Sequence, residues 1–244
     1  GLTRGLNTVE MAAAYACFAN GGIYNEPRTY VRVTRVDNTT GQEVTVLENE
    51  SESHVAMKDT TAYLMTDMLK NAVAAGTGNQ AKFNGMHIAG KTGTTNKNYD
   101  RYFVGYTPYY VAAVWTGYDN NERISYNGNP AITMWKKVME PLHMELPDKD
   151  FENKPSTGLT SITVCLDSGM LPTDACRADP RGNRTASFTA AAGTGPTEEC
   201  TMHKMVEYCT EGHCIAGDTC PAETVEQRAY LDYVREDYGP SIKA

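Results

Sequence analysis

The chain has 244 residues, a length that suits one good-sized domain or a domain with an appendage. Hydrophobic residues make up 41% and charged residues 21%, the profile of a soluble globular protein. A net charge of −8 argues against a nucleic-acid binder, and no apolar run approaches the roughly 20 residues of a membrane-spanning helix.

Residue 1 is glycine rather than methionine, so the N-terminus reads as internal, with any anchor or targeting segment expected upstream. Asn7, with Glu10 three residues on, forms a capping-box variant that opens a helix. Val9, Met11, Ala12, Tyr15, Ala16 and Ala19 continue it at helical spacing, and Asn20-Gly21-Gly22 stops it. Residues 30–36 and 43–47 alternate and are rich in β-branched side chains, with Asn38-Thr39-Thr40-Gly41 between them, which predicts a hairpin. A second helix is expected over 59–75, burying Ala62, Met65, Leu69 and Val73 and ending at Gly76-Thr77-Gly78.

Three strands follow, at about 86–92, 101–106 and 109–117, the last two joined tightly at Thr107-Pro108. A helix over 131–143 then presents Ile132, Trp135, Val138, Met139 and Leu142 on one face. Helices, a meander and a further helix predict an α+β fold with an antiparallel sheet flanked by helices over residues 1–146. The polar, Pro/Gly-bearing stretch 147–160 reads as a linker, and 161–244 as a cysteine-rich, irregular extension with one short strand at 161–166 and a mobile, small-residue stretch at 185–196.

Cys17 stands alone in an apolar helix, where an inert buried thiol is expected. The other six cysteines, Cys165, Cys176, Cys200, Cys209, Cys214 and Cys220, all fall in the last third. Such clustering fits disulfides and an oxidising, extracytoplasmic setting, with the pairing left open. Cys200-Thr201-Met202-His203, with Cys209, His213, Cys214 and Cys220 nearby, also offers ligands for zinc. Zinc sites usually carry tight C-x-x-C pairs and none occurs here, so disulfides are the simpler account, and neither a metal nor a cofactor is expected.

The segment that carries chemistry is Ala89-Gly90-Lys91-Thr92-Gly93-Thr94-Thr95. Lys91 supplies a positive charge beside the hydroxyls of Thr92 and Thr94, a set able to hold a carboxylate. Gly93 lets an extended ligand approach the backbone as an added strand. The N–H of Thr94 is then free to point at a carbonyl oxygen, as an oxyanion hole requires.

Lys91-Thr92-Gly93 resembles the third motif of penicillin-binding proteins and serine β-lactamases. The stretches "GLNTVEMAAAYACFANGG", "TAYLMTDMLKNAVAAGTG", "AGKTGTTNKNYDRYFVGYTPYYVAAVWTGYDNN" and "NPAITMWKKVME" resemble class A penicillin-binding proteins of Gram-positive type over roughly residues 1–145. The resemblance implies a partial β-lactamase/transpeptidase-like domain at the extracytoplasmic face of a bacterial membrane. It implies acyl transfer from D-Ala-D-Ala, with peptidoglycan stem peptides and β-lactams as partners. Lys91 and Thr94 would be the catalytic residues, and Thr92, Gly93, Thr94 and Thr95 would bind substrate.

The family also needs S-x-x-K and then S-x-N ahead of K-T-G. No serine here has lysine three residues later, and the one S-x-N, Ser125-Tyr126-Asn127, follows Lys91 in a Gly/Asn-rich stretch. This chain alone is therefore expected to be inactive, needing the upstream segment that carries the nucleophile and any membrane anchor. Two other readings stand beside it: a non-catalytic surface-binding or scaffold remnant, and a nucleotide-binding enzyme. The latter rests on Gly85-Met86-His87-Ile88-Ala89-Gly90-Lys91-Thr92, which matches G-x-x-x-x-G-K-[ST] but needs a helix opening at the lysine. His54, His87, His143 and the pair Asp100-Arg101 are read as packing or solvated surface.

Overall fold

The computed structural model describes residues 5–152 and 154–232, so residues 233–244 of the expected extension lie outside the described residues. The chain forms two compact units divided between Thr157 and Gly158.

The first unit opens with α1 (Thr8–Ala19). Asn7 Oδ1 accepts the Glu10 N–H at 2.9 Å while Glu10 Oε2 accepts the Asn7 N–H at 3.1 Å. This reciprocal cap satisfies two donors that a helix start otherwise leaves to solvent. The helix ends at Asn20, and Gly21 and Gly22 turn the chain with positive φ. There follow β1 (Ile23–Asn25), β2 (Arg32–Val36), β3 (Glu43–Glu48) and β4 (Ser53–Val55). β2 and β3 form the expected antiparallel hairpin, exposed on both faces, and β1 pairs with β4 in a small ribbon the sequence did not announce.

The helix α2 (Asp59–Ala74) buries Ala62, Thr66, Leu69 and Val73. Thr66 is buried where Met65 was expected, and Met65 is only half-buried. β5 (Ala89–Thr94), β6 (Asp100–Tyr106) and β7 (Val111–Gly117) make an antiparallel sheet in the order β5-β6-β7. β5 begins at Ala89, so Met86-His87-Ile88 precede the strand rather than belong to it. α3 (Pro130–His143) starts with Asn129 Oδ1 accepting the Ala131 N–H and Pro130 in its first turn, where a missing N–H costs nothing.

Trp135 of α3 is fully buried against Phe103, ring centroids 5.2 Å apart, and its Nε1 donates to the carbonyls of Gly105 and Ala112. Tyr106 belongs to a second cluster with Leu69 and Ala89, and its hydroxyl meets Thr66 Oγ1 at 3.0 Å. Burial pushes the Tyr106 phenol far above its usual range. The buried face of α3 differs from expectation. Ala131, Ile132, Trp135, Met139 and His143 are enclosed, whereas Val138 and Leu142 are more than half exposed. The reason is His143. Its Nδ1 donates to the Met139 carbonyl at 2.6 Å and its Nε2 accepts the Thr107 hydroxyl at 2.8 Å, so a paired imidazole takes the inward position. Part of the stretch read as a linker is anchored to this unit: Asp150 pairs with Lys70 at 2.7 Å and Phe151 packs edge-on against Tyr106.

The second unit holds β8 (Leu159–Cys165), α4 (Asp174–Arg177), β9 (Thr185–Ala191), β10 (His203–Cys209), β11 (Cys214–Ile215) and β12 (Val225–Leu231). β8 and β9 pair antiparallel along their full lengths, and β10 lies between β11 and β12. The extension thus carries more regular structure than expected, and the stretch expected to be mobile contributes a strand. All seven cysteines are free thiols. Instead of disulfides, Cys165, Cys176 and Cys200 form a buried cluster with Met170 and Met202 packed around it. Among the described residues no helix is long and apolar enough to cross a membrane.

Candidate functional site

The motif Ala89–Thr94 is β5, the outer strand of its sheet. Its inner edge is bonded to β6 in the register Lys91↔Val104, Thr92↔Phe103, Gly93↔Tyr102 and Thr94↔Arg101. Among the described residues the outer edge has no strand partner, so it is open to an added strand.

Ala89 and Gly90 are buried, Thr92 and Gly93 half-buried, and Lys91 and Thr94 exposed. The strand therefore emerges from the core where the polar motif begins. Gly90 is demanded by packing: a Cβ there would lie 2.7 Å from the Phe103 ring and 2.9 Å from the Val104 carbonyl oxygen. Gly93 is different. A Cβ there would meet only Tyr102 Cβ, at 3.2 Å, and the remaining space is open to a ligand. Strand alternation places Lys91 and Gly93 on one face of the sheet and Thr92 and Thr94 on the other. Lys91 Nζ donates to the Thr92 carbonyl at 2.9 Å.

Two residues that the sequence reading passed over hold the motif in place. Thr77, just beyond α2, meets Thr92 Oγ1 at 2.9 Å through its own hydroxyl. Asp100 accepts the Thr95 hydroxyl on Oδ2 at 3.1 Å and the Trp115 indole N–H on Oδ1 at 2.9 Å, while its own N–H donates to Thr95 Oγ1. Asp100 is thus the first residue of β6 and a bridge across the sheet, not a solvated loop residue. The signal for Thr77 was the Gly76-Thr77-Gly78 stop, read only as a helix end. On β6, Tyr102 pairs with Gly93, and its hydroxyl is shielded without a hydrogen-bond partner among the described residues, so burial pushes its phenol above the usual range.

The nucleotide-binding reading fails on geometry. Lys91 and Thr92 lie inside a strand, so no helix N-terminus opens there to receive a phosphate. Ser125-Tyr126-Asn127 lies exposed in the segment before α3.

A family model described as the penicillin-binding protein transpeptidase domain matches residues 2–140, which include the whole of β5 and its sheet. The chain belongs to the penicillin-binding protein transpeptidase family. A second model, the C-terminal domain of penicillin-binding protein 1A, matches residues 155–205. Penicillin-binding protein 1A of Clostridium botulinum (strain Langeland) is 35% identical over 244 residues, 99% of this chain and 28% of that protein. Penicillin-binding protein 1A/1B of Bacillus subtilis (strain 168) is 45% identical over 132 residues, 48% of this chain and 14% of that protein. The chain thus spans little more than a quarter of the clostridial relative's length. The solved structure of penicillin-binding protein 1A from Haemophilus influenzae has a similar fold, with a TM-score of 0.61 at 22% identity, covering 80% of this chain and 33% of that one. The α+β architecture with a helix-flanked antiparallel sheet is therefore that of penicillin-binding transpeptidase domains.

Proposed function

We propose that this chain is the K-T-G-bearing part of a cell-wall acyltransferase that cross-links peptidoglycan stem peptides and is acylated by penicillins. The observation that carries the reading is the free outer edge of β5, with Lys91, Thr92, Gly93, Thr94 and Thr95 exposed or half-exposed along it. An extended stem peptide ending in a carboxylate would add to this edge as a strand. Lys91 would steer the carboxylate and support proton transfer, and the hydroxyls of Thr92 and Thr94 would hold it, with Thr95 closing the end of the site. The N–H of Thr94 would stabilise the oxyanion of the tetrahedral intermediate, a contribution on the order of 3–4 kcal/mol to the barrier in comparable sites.

The serine that attacks the D-Ala-D-Ala carbonyl is proposed to come from sequence outside these 244 residues, since none here has the S-x-x-K spacing. Stem peptides and β-lactams would then bind only with that segment in place, at the extracytoplasmic face of the membrane. The test is the intact mass of the chain before and after excess benzylpenicillin. The chain by itself is expected to stay unmodified, and a polypeptide that joins it to an S-x-x-K-bearing segment of a relative is expected to gain one penicillin. A penicillin adduct on the chain alone would place the nucleophile within these residues and overturn the division of labour.

A further inference from the structure

In the second unit, four side chains that are far apart in sequence meet at one point. Cys165 closes β8, Cys176 sits in α4, Cys200 precedes β10, and His203 is the first residue of β10. All four are buried, and their Sγ and imidazole nitrogen atoms lie within 4.8 Å of one another. His203 Nδ1 is 3.5 Å from Cys165 Sγ and 3.4 Å from Cys200 Sγ.

The other imidazole nitrogen fixes what Nδ1 can be. His203 Nε2 lies 2.9 Å from Asp179 Oδ2 and 3.3 Å from Asp167 Oδ2. Facing two carboxylate oxygens, Nε2 must carry the hydrogen. A neutral His203 then presents a bare lone pair on Nδ1 toward the three sulfurs. One lone pair cannot satisfy three convergent thiols, and S–H is a weak donor. A carboxylate on the far nitrogen is the arrangement that orients a metal-ligating histidine and raises its basicity. The carboxylates are themselves fixed: Arg181 donates to both Asp179 and Asp167, and Arg184 binds Asp167 through Nε and a terminal nitrogen, each at 3.1 Å.

We infer that Cys165, Cys176, Cys200 and His203 form a structural zinc site, with Asp179 and Asp167 as its supporting carboxylates. The dimensions agree with the assignment. Zn–S of about 2.3 Å and Zn–N of about 2.0–2.1 Å give a tetrahedron S···N edges of about 3.5–3.6 Å, against the 3.4 and 3.5 Å separations here. Three soft thiolates and one imidazole select zinc over the hard, oxygen-seeking cations. Four protein ligands in a closed, buried setting leave no position for a substrate, so the role is structural. Binding converts the three thiols to thiolates, and their protons pass to solvent.

The need for such a staple is visible in the packing. Among the described residues of this unit, the buried apolar side chains are Val164, Ala175, Ala229 and the cysteines Cys165, Cys176, Cys200 and Cys209, with no buried leucine, isoleucine or aromatic residue. A core so thin rarely holds a small unit together without a metal or a cross-link. The ligand spacing also explains why the sequence favoured disulfides: only Cys200 and His203 are close in sequence, and the ligating pair is C-x-x-H rather than C-x-x-C.

The test uses the full chain purified under reducing conditions without chelators, with metal content read by plasma mass spectrometry. About one zinc per chain is expected for the wild type and for Cys209→Ser, and little for Cys176→Ser. So that the outcome does not depend on the folding of Cys176→Ser, the stripped wild-type chain is also titrated with cobalt(II). A thiolate-to-cobalt charge-transfer band with strong visible bands of a tetrahedral complex is expected, bleached by zinc. Asp179→Asn should weaken zinc binding about 10- to 100-fold in competition with a chromophoric chelator. Removal of zinc should also speed tryptic cleavage at Arg181 and Arg184. A wild-type chain that purifies without zinc and gives only weak, six-coordinate cobalt bands would overturn the inference. So would peptide mapping of chain purified without reductant that finds Cys165, Cys176 or Cys200 in a disulfide.

Discussion

The indole Nε1 of Trp115 donates to Oδ1 of Asp100 at 2.9 Å across neighbouring strands, while the second oxygen of the same carboxylate takes the Thr95 hydroxyl. One side chain thus ties the end of the proposed substrate strand to the far strand of its sheet. Hydrogen bonds to a charged group contribute about 1.5–3 kcal/mol each, so this bridge sets the position of residues 94 and 95 more firmly than the strand ladder alone.

Asp100→Ala should leave the core intact, since Phe103, Tyr106 and Trp135 do not depend on it. In a complete domain it should slow acylation by a fluorescent penicillin about 10- to 100-fold, because small displacements of positioning groups are costly. An unchanged acylation rate with a lowered melting temperature would show that the bridge serves stability only.

The two glycines of the motif should separate cleanly. Gly90→Ala drives a methyl group into Phe103 and the Val104 carbonyl and should destabilise the first unit by about 1–3 kcal/mol, seen as a drop in melting temperature. Gly93→Ala meets a single neighbour and should stay within about 1 kcal/mol of wild type, yet lose acylation in a complete domain because the added methyl occupies the ligand's approach. Equal stability losses at both positions would contradict the open space assigned to Gly93.

Lys91→Ala removes an exposed side chain whose one hydrogen bond among the described residues is to the neighbouring Thr92 carbonyl. Thermal stability should change by less than about 0.5 kcal/mol. Acylation in a complete domain should fall at least about a hundredfold if Lys91 stabilises developing charge. Full activity would remove Lys91 from the proposed site.

The segment after α3 offers a contrast of forces. The carboxyl of Asp150 is pushed up by its partial burial, but the Lys70 ammonium and the Phe151 N–H outweigh this and hold it below the usual carboxylate range. Its stabilising share is present above the ordinary carboxylate pKa and is lost as pH falls through the depressed value. Because Asp150 is about half exposed, that share is at most about 1 kcal/mol. Phe151→Ala, which strips an aromatic contact from Tyr106, should cost more than Asp150→Asn, and chemical denaturation at neutral pH would rank them.

The sequence by itself determined the local elements and the family. The Asn7–Glu10 cap, the glycine stops, the β2–β3 alternation and the meander around Thr107-Pro108 are set by interactions within a few residues, which a linear reading can see. The order of the motif stretches likewise points to the transpeptidase family. Tertiary structure decided what depends on distant partners. A histidine took the inward place of Val138 and Leu142 on α3 because Thr107, some 36 positions away, supplied its hydrogen bond. Asp100 became a bridge because Thr95 and Trp115 flank it in space. Of Cys165, Cys176, Cys200 and His203 only the last two are close in sequence, and only the folding of β8, α4 and β10 brings all four to one point. Hydrogen bonds and ligand sets that close long loops leave no periodicity in the sequence, since their geometry is set by packing rather than by neighbours along the chain.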